Sequence, residues 1–174
     1  EKYYKGRPKL DRIVVRVVGD AETLRLLFES DELDVFDVDY AMTQLPYFAS
    51  SEKWKSQIRS GPRVGIYYYH INQAVKPFDD VRVRKAFQMS INRQEILDKN
   101  FYGKGMLENG VMPRGLVCYK PATPIEYNPE KAKQLLTEAG YPNGVDINLT
   151  QVNSWSSKWS DMNQIIQAQI KKSG

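Results

Sequence analysis

The chain is poor in the residues that carry covalent and metal chemistry. Its 174 residues hold one cysteine, Cys118, and one histidine, His70. A lone cysteine closes no disulfide within the chain and leaves the redox compartment open. One Cys and one His also fall short of the usual nitrogen–sulfur ligand set of zinc, so no metal is expected. A Cys–His nucleophilic pair needs only these two residues, but nothing in the sequence brings them together. A small buried thiol is the simpler reading of Cys118. No GxSxG, HExxH, P-loop or GxGxxG pattern occurs, so no catalytic residues are assigned. Also missing are an apolar run of membrane-spanning length and a signal-peptide pattern at Glu1. The opening "EKYYKGRPKL", without an initiator methionine, is what a processed protein or an internal piece presents.

Charge of one sign is not concentrated either. The net charge is +4, with a basic first segment (Lys2, Lys5, Arg7, Lys9, Arg12, Arg16) followed by an acidic one (Glu29, Asp31, Glu32, Asp34, Asp37, Asp39). A nucleic-acid binder gathers its cations on one face; charge dispersed in this way argues against nucleic acid. The acidic stretch reads as a solvated loop rather than a paired acid and base. What the chain does have is 41% apolar residues, enough for a core in one large domain or in parts of two.

The patterning alternates strands and helices. "LDRIVVRVVGD" is apolar on both faces, as in an interior strand. Asp20 caps a helix carrying Leu24, Leu27 and Phe28, and Val35–Val38 makes a second short strand, completing a βαβ unit. Thr43 to Trp54 holds one short helix around Pro46, placed in its first turn. Val64–Ile71 reads as a strand with Val64, Ile66, Tyr68 and His70 on one face and Gly65, Tyr67, Tyr69 and Ile71 on the other. "VRVR" alternates like a strand, yet Val83, Ala86, Phe87, Ser90 and Ile91 fall on one helical stripe, which predicts a helix with surface arginines. Asn92 and Glu95 have capping-box spacing and start another helix, ending near Gly103. A proline-rich irregular stretch runs from Gly105 to Pro124. Asn128, Pro129 and Gly140 punctuate a helix with Ala132, Leu135, Leu136 and Ala139 inward. "VDINLTQV" is a one-sided strand, and a last helix carries Met162, Ile165, Ile166 and Ile170.

Aromatic residues supply the binding candidates. Tyr67 and Tyr69 suit packing, whereas Tyr68 and His70 alternate with aliphatics as a half-polar binding surface does. Trp155 and Trp159, one helical turn apart, fit either a buried anchor or the aromatic wall of a ligand site.

The stretch "YYYHINQAVKPFDDVRVRKAFQMSINRQEI" resembles the central signature of the extracellular solute-binding proteins, family 5, of ABC importers. "MPRG" resembles that family's connector, "YNPEKAKQLLTEAGYPNG" its next helix, and "DRIVVRVVGDAETLRLLFESDELDV" its earlier segment, with Asp31 where the family pattern has Gly. The resemblance covers nearly the whole chain. It implies an α/β, periplasmic-binding-protein-like two-lobe fold (type II, large peptide-binding subgroup), of which this chain is a central fragment. Residues 1–63 would belong to the first lobe, and residues 64–174 would be the hinge strand and first half of the second lobe. The implied function is non-enzymatic: peptide capture between lobes that close by hinge motion, and delivery to the permease transmembrane subunits, outside the cytoplasm. The parent protein is expected to be monomeric and to need no cofactor.

Carried over by position, Arg63, Gly65, Tyr68 and His70 would face the ligand from the hinge strand. Gly65 would offer backbone hydrogen bonds, and Tyr68 and His70 would line a side-chain pocket. Asn153, Trp155 and Lys158 would line the second lobe's face, and Asp37 and Asp39 the first lobe's. His70 and Arg63 stand where an oligopeptide binder has an acidic and an aromatic residue. Same-fold binders of nickel chelate, haem or sugar are therefore the alternative, and a hydrolase or regulatory fragment a more distant one.

Overall fold

The structure, a computed structural model, describes residues 6–39, 41–61, 63–151 and 157–174. It divides into two compact units, residues 1–50 and 51–174.

In the first unit, α1 spans Ala21–Glu29. It starts where expected, because the Asp20 carboxylate accepts hydrogen bonds from the Thr23 backbone N–H and hydroxyl, both at 2.7 Å. These satisfy a donor that the first turn leaves orphaned. The predicted Thr43–Trp54 helix is shorter than its pattern: a 3₁₀ turn at Met42–Gln44 leads into α2, Leu45–Ser50, with Pro46 in the first turn. The core is aromatic. Phe28, Phe36 and Phe48 meet pairwise at centroid distances of 5.2, 5.8 and 5.4 Å, and Ala41 and Leu45 of the same unit are buried. Tyr47 donates to the Glu29 carboxylate, with the Arg25 guanidinium 4.8 Å from its ring centroid.

The second unit is built on α3 (Val81–Met89), α4 (Arg93–Phe101), α5 (Pro129–Glu138) and α6 (Ser157–Ile170). Asp80, Asn92 and Asn128 each accept a backbone N–H at the head of α3, α4 and α5. The "VRVR" segment is helical, and Val83, Ala86, Ala132 and Leu136 form the buried seam between α3 and α5. Arg82 closes the far end of that seam by donating to the Glu138 carbonyl at 2.6 Å. The capping box at α4 is only half made. The Asn92 backbone N–H donates to Gln169 of α6, and the Glu95 carboxylate accepts from Gln169 and Lys99 instead of reaching back. On α6 the buried positions include Lys158, Ile166 and Gln169, so polar residues share the face that apolar periodicity assigned to Met162, Ile165, Ile166 and Ile170.

Two expectations are corrected. The segments read as strands (13–18, 35–38, 64–71 and 145–151) form none among the described residues, so the α/β character is not realised within them. A strand is completed by its neighbour's backbone groups, and no described residue supplies that ladder. Ile13, Val14, Val15 and Val17 are accordingly 76, 66, 81 and 97% exposed. The second correction concerns Cys118, which is exposed rather than buried. The irregular stretch around it folds on polar contacts instead. Arg93 donates to the Glu108 carbonyl at 2.6 Å, to Asn109 Oδ1 at 2.8 Å and to the Ile125 carbonyl at 3.3 Å. Glu108 in turn accepts from the Tyr119 hydroxyl and pairs with Arg114 at 2.7 Å, without hydrogen-bond alignment in the latter contact.

Candidate functional site

Residues 63–70 carry four of the nine predicted site residues, Arg63, Gly65, Tyr68 and His70. Two glycines, Gly61 and Gly65, flank Arg63, and a Cβ added at either would meet nothing within 4 Å, so the backbone there is open to close approach. The Gly65 N–H donates to the Arg63 carbonyl at 3.1 Å, which turns that donor inward on its own segment. The Arg63 side chain is exposed.

From Tyr67 onward the contacts separate by parity. Tyr67 meets Trp159 of α6 edge-on at 4.5 Å and stacks at 6.4 Å on Phe101, the last residue of α4. Tyr69 donates its hydroxyl to Asn163 Oδ1 on α6, and Asn163 passes a hydrogen bond on to Gln151. Partial burial pushes the Tyr69 hydroxyl pKa up. Tyr68 and His70 instead meet each other, ring centroids 4.7 Å apart at 62°, and both are exposed, Tyr68 by 58%. The even-numbered residues thus form an aromatic pair open to solvent. The odd-numbered ones are tied to the helices, although Tyr67 itself stays 54% exposed.

The remaining predicted residues are placed differently. Lys158 is 5% exposed, with its ammonium 5.6 and 5.2 Å from the Phe101 and Trp159 ring centroids. Asp37 and Asp39 belong to the first compact unit, where Asp37 is exposed and accepts the Asp39 N–H at 2.8 Å. Asn153 and Trp155 lie outside the described residues. Sequence reasoning missed the parts played by Phe101 and Asn163. The signal was available for Asn163: Trp159 and Asn163 stand four apart on α6 and so share one face, and both reach the tyrosine run. Among the described residues no group of three or more His, Cys, Asp or Glu side chains is arranged to hold a metal, and no helix is long and apolar enough to cross a membrane.

Chemically the arrangement is suited to binding. It offers aromatic edges, an imidazole and open backbone on a segment fastened to helices, the kinds of group that binding surfaces use. The comparisons agree with that class. Residues 1–174 match the model of the bacterial extracellular solute-binding proteins, family 5 Middle, and the chain belongs to that family. Heme-binding protein A of Haemophilus influenzae (strain ATCC 51907 / DSM 11121 / KW20 / Rd) is 32% identical over 84% of this chain and 26% of its own length. Glutathione-binding protein GsiB of Escherichia coli (strain K12) is 34% identical over 87% of this chain and 28% of its own length. GsiB of Salmonella choleraesuis (strain SC-B67) is 32% identical over 89% of the chain and 29% of its own length. The chain thus spans between a quarter and a third of these curated relatives, whose family has a two-lobe type II fold.

Proposed function

We propose that the whole protein is the substrate-binding component of an ABC importer. It captures peptides between two lobes outside the cytoplasm and delivers them to the membrane permease. The observation that carries this is the Tyr68–His70 pair, exposed on a segment whose neighbouring tyrosines are fastened to α4 and α6. An exposed aromatic pair on anchored backbone loses little entropy on meeting a ligand. In this reading Arg63, Gly65, Tyr68 and His70 face the ligand, and the hinge lies near Val64. Residues 13–18, 35–38, 64–71 and 145–151 become strands of an α/β sheet by pairing with other parts of the whole protein, which would cover the apolar side chains left exposed here.

The relatives' names favour a second ligand class alongside mixed peptides, since one is a binder of heme and two are binders of glutathione, itself a tripeptide. The test is native mass spectrometry of the full-length parent protein, followed by calorimetric titration with a mixed tripeptide pool, glutathione and hemin. A series of adducts that sequence as short peptides, lost in Tyr68→Ala and His70→Ala variants, is the expected result. A single sharp adduct at the mass of hemin replaces the peptide reading with that ligand. Binding that survives both substitutions overturns the assignment of this surface.

A further inference from the structure

Lysine is among the residue types least often buried, and Lys158 is 5% exposed. Its surroundings give a reason. Its ammonium lies within 6 Å of two ring centroids, those of Phe101 and Trp159, and these rings are 6.1 Å apart. A cation so placed is attracted by the negative face of the rings, more strongly where water is excluded. Tyr67 joins the same cluster from residues 63–70 through Trp159 and Phe101. One turn further along α6, Asn163 takes the Tyr69 hydroxyl. Both residues flanking Tyr68 are therefore held from the helices, which restricts the backbone rotations that would swing Tyr68 and, one residue beyond Tyr69, His70.

We propose that Lys158, Phe101 and Trp159 form a seat for Tyr67 that, with Asn163 on Tyr69, aims the Tyr68–His70 pair. Lys158 and Trp159 are then positioning residues acting from within the fold, not contacts of the ligand. The functional meaning of the seat rests on the proposed reading of Tyr68 and His70 as ligand-facing; the seat itself can be tested without any ligand.

His70 is the sole histidine of the chain, so its imidazole C–H protons give two isolated signals in a proton NMR spectrum of the full 174-residue protein. Lying edge-to-face with Tyr68 at 4.7 Å, they feel the tyrosine ring current. Trp159→Ala and Lys158→Met are expected to move both signals toward their positions in urea-unfolded protein, with helical circular dichroism retained. Trp159→Phe and Lys158→Arg, which keep a ring and a cation, leave them in place. Val83→Ala, in the separate α3–α5 seam, lowers stability and leaves them in place as well. Unmoved His70 signals in a folded Trp159→Ala or Lys158→Met variant overturn the proposal, as does an equal displacement in Val83→Ala. Should Trp159→Ala not fold, Lys158→Met decides, because its side chain keeps most of the packing stem while the ammonium is lost. Failure of the ligand reading is distinguishable: it shows as binding that survives Tyr68→Ala and His70→Ala in the parent protein, whatever the NMR result.

Discussion

Replacing Arg93 by methionine tests whether the irregular stretch after α4 is held by one guanidinium. Arg93 reaches two backbone carbonyls and a side-chain amide oxygen, at 2.6, 3.3 and 2.8 Å, on residues 15 to 32 positions away. Its partial burial lowers the guanidinium pKa, but an arginine stays charged in water and in protein alike. A hydrogen bond from a charged donor contributes about 1.5–3 kcal/mol net. Counting the two short bonds, and allowing the half-buried acceptors to regain some water, Arg93→Met should cost about 2–4 kcal/mol. Arg93→Lys keeps the charge without the planar fork; serving one acceptor of three, it should cost about half as much. Urea unfolding followed by helical circular dichroism gives the free energies, and amide hydrogen exchange locates the loss. Residues 105–125 should lose protection first while α3 and α5 keep theirs. A cost below about 0.5 kcal/mol, the range of an ordinary surface substitution, would refute the reasoning. So would unchanged protection in that stretch.

Further predictions concern the helices around it. Leu136→Ala, at a residue 7% exposed in the α3–α5 seam, should cost about 2–5 kcal/mol in the same urea experiment, since the seam cannot fully close over the lost atoms. Asn128→Ala removes the oxygen that accepts the Lys131 N–H at 3.0 Å and should cost about 1 kcal/mol, largely recovered in Asn128→Asp. The Asp80 carboxyl is held down to about 2 by hydrogen bonds from the Arg82 side chain and backbone, below the value of about 3.9 for an unfolded aspartate. Its folded pKa is depressed, so its contribution is complete above about pH 4 and fades as pH falls toward 2. The stability difference between the natural chain and Asp80→Asn should therefore shrink over that window; a difference constant from pH 5 to pH 2 would contradict the assignment.

Helix starts were legible from local signals because a cap is local chemistry. Asp20, Asn92 and Asn128 each need only an N–H three residues on, and all three find it. The stripe of Val83, Ala86 and Phe87 outweighed the alternation of "VRVR" for a similar reason: a nine-residue helix buries one face whatever it packs against. The family was legible too, since its signature runs through and beside those same capped helices. Strands were not decidable this way. Ile13–Val18 has an interior strand's composition, but a strand exists only with a partner, and none is present among the described residues. The parity of Tyr67–His70 predicted which tyrosines pack, yet not what they pack on.

Caps, helical stripes and turns depend on neighbours within about four positions and could be read from the residues alone, as could the motif order that marks the family. The remainder came from tertiary packing. It buried Lys158 against Phe101 and Trp159, drew Gln169 to the head of α4, exposed Cys118, and gave Arg93 acceptors up to 32 residues away. The physical reason is the range of the interactions. Periodicity counts apolar residues and cannot say that a buried position will hold a cation or an amide; that depends on rings and carbonyls brought in from distant segments, which satisfy the polar group where water cannot.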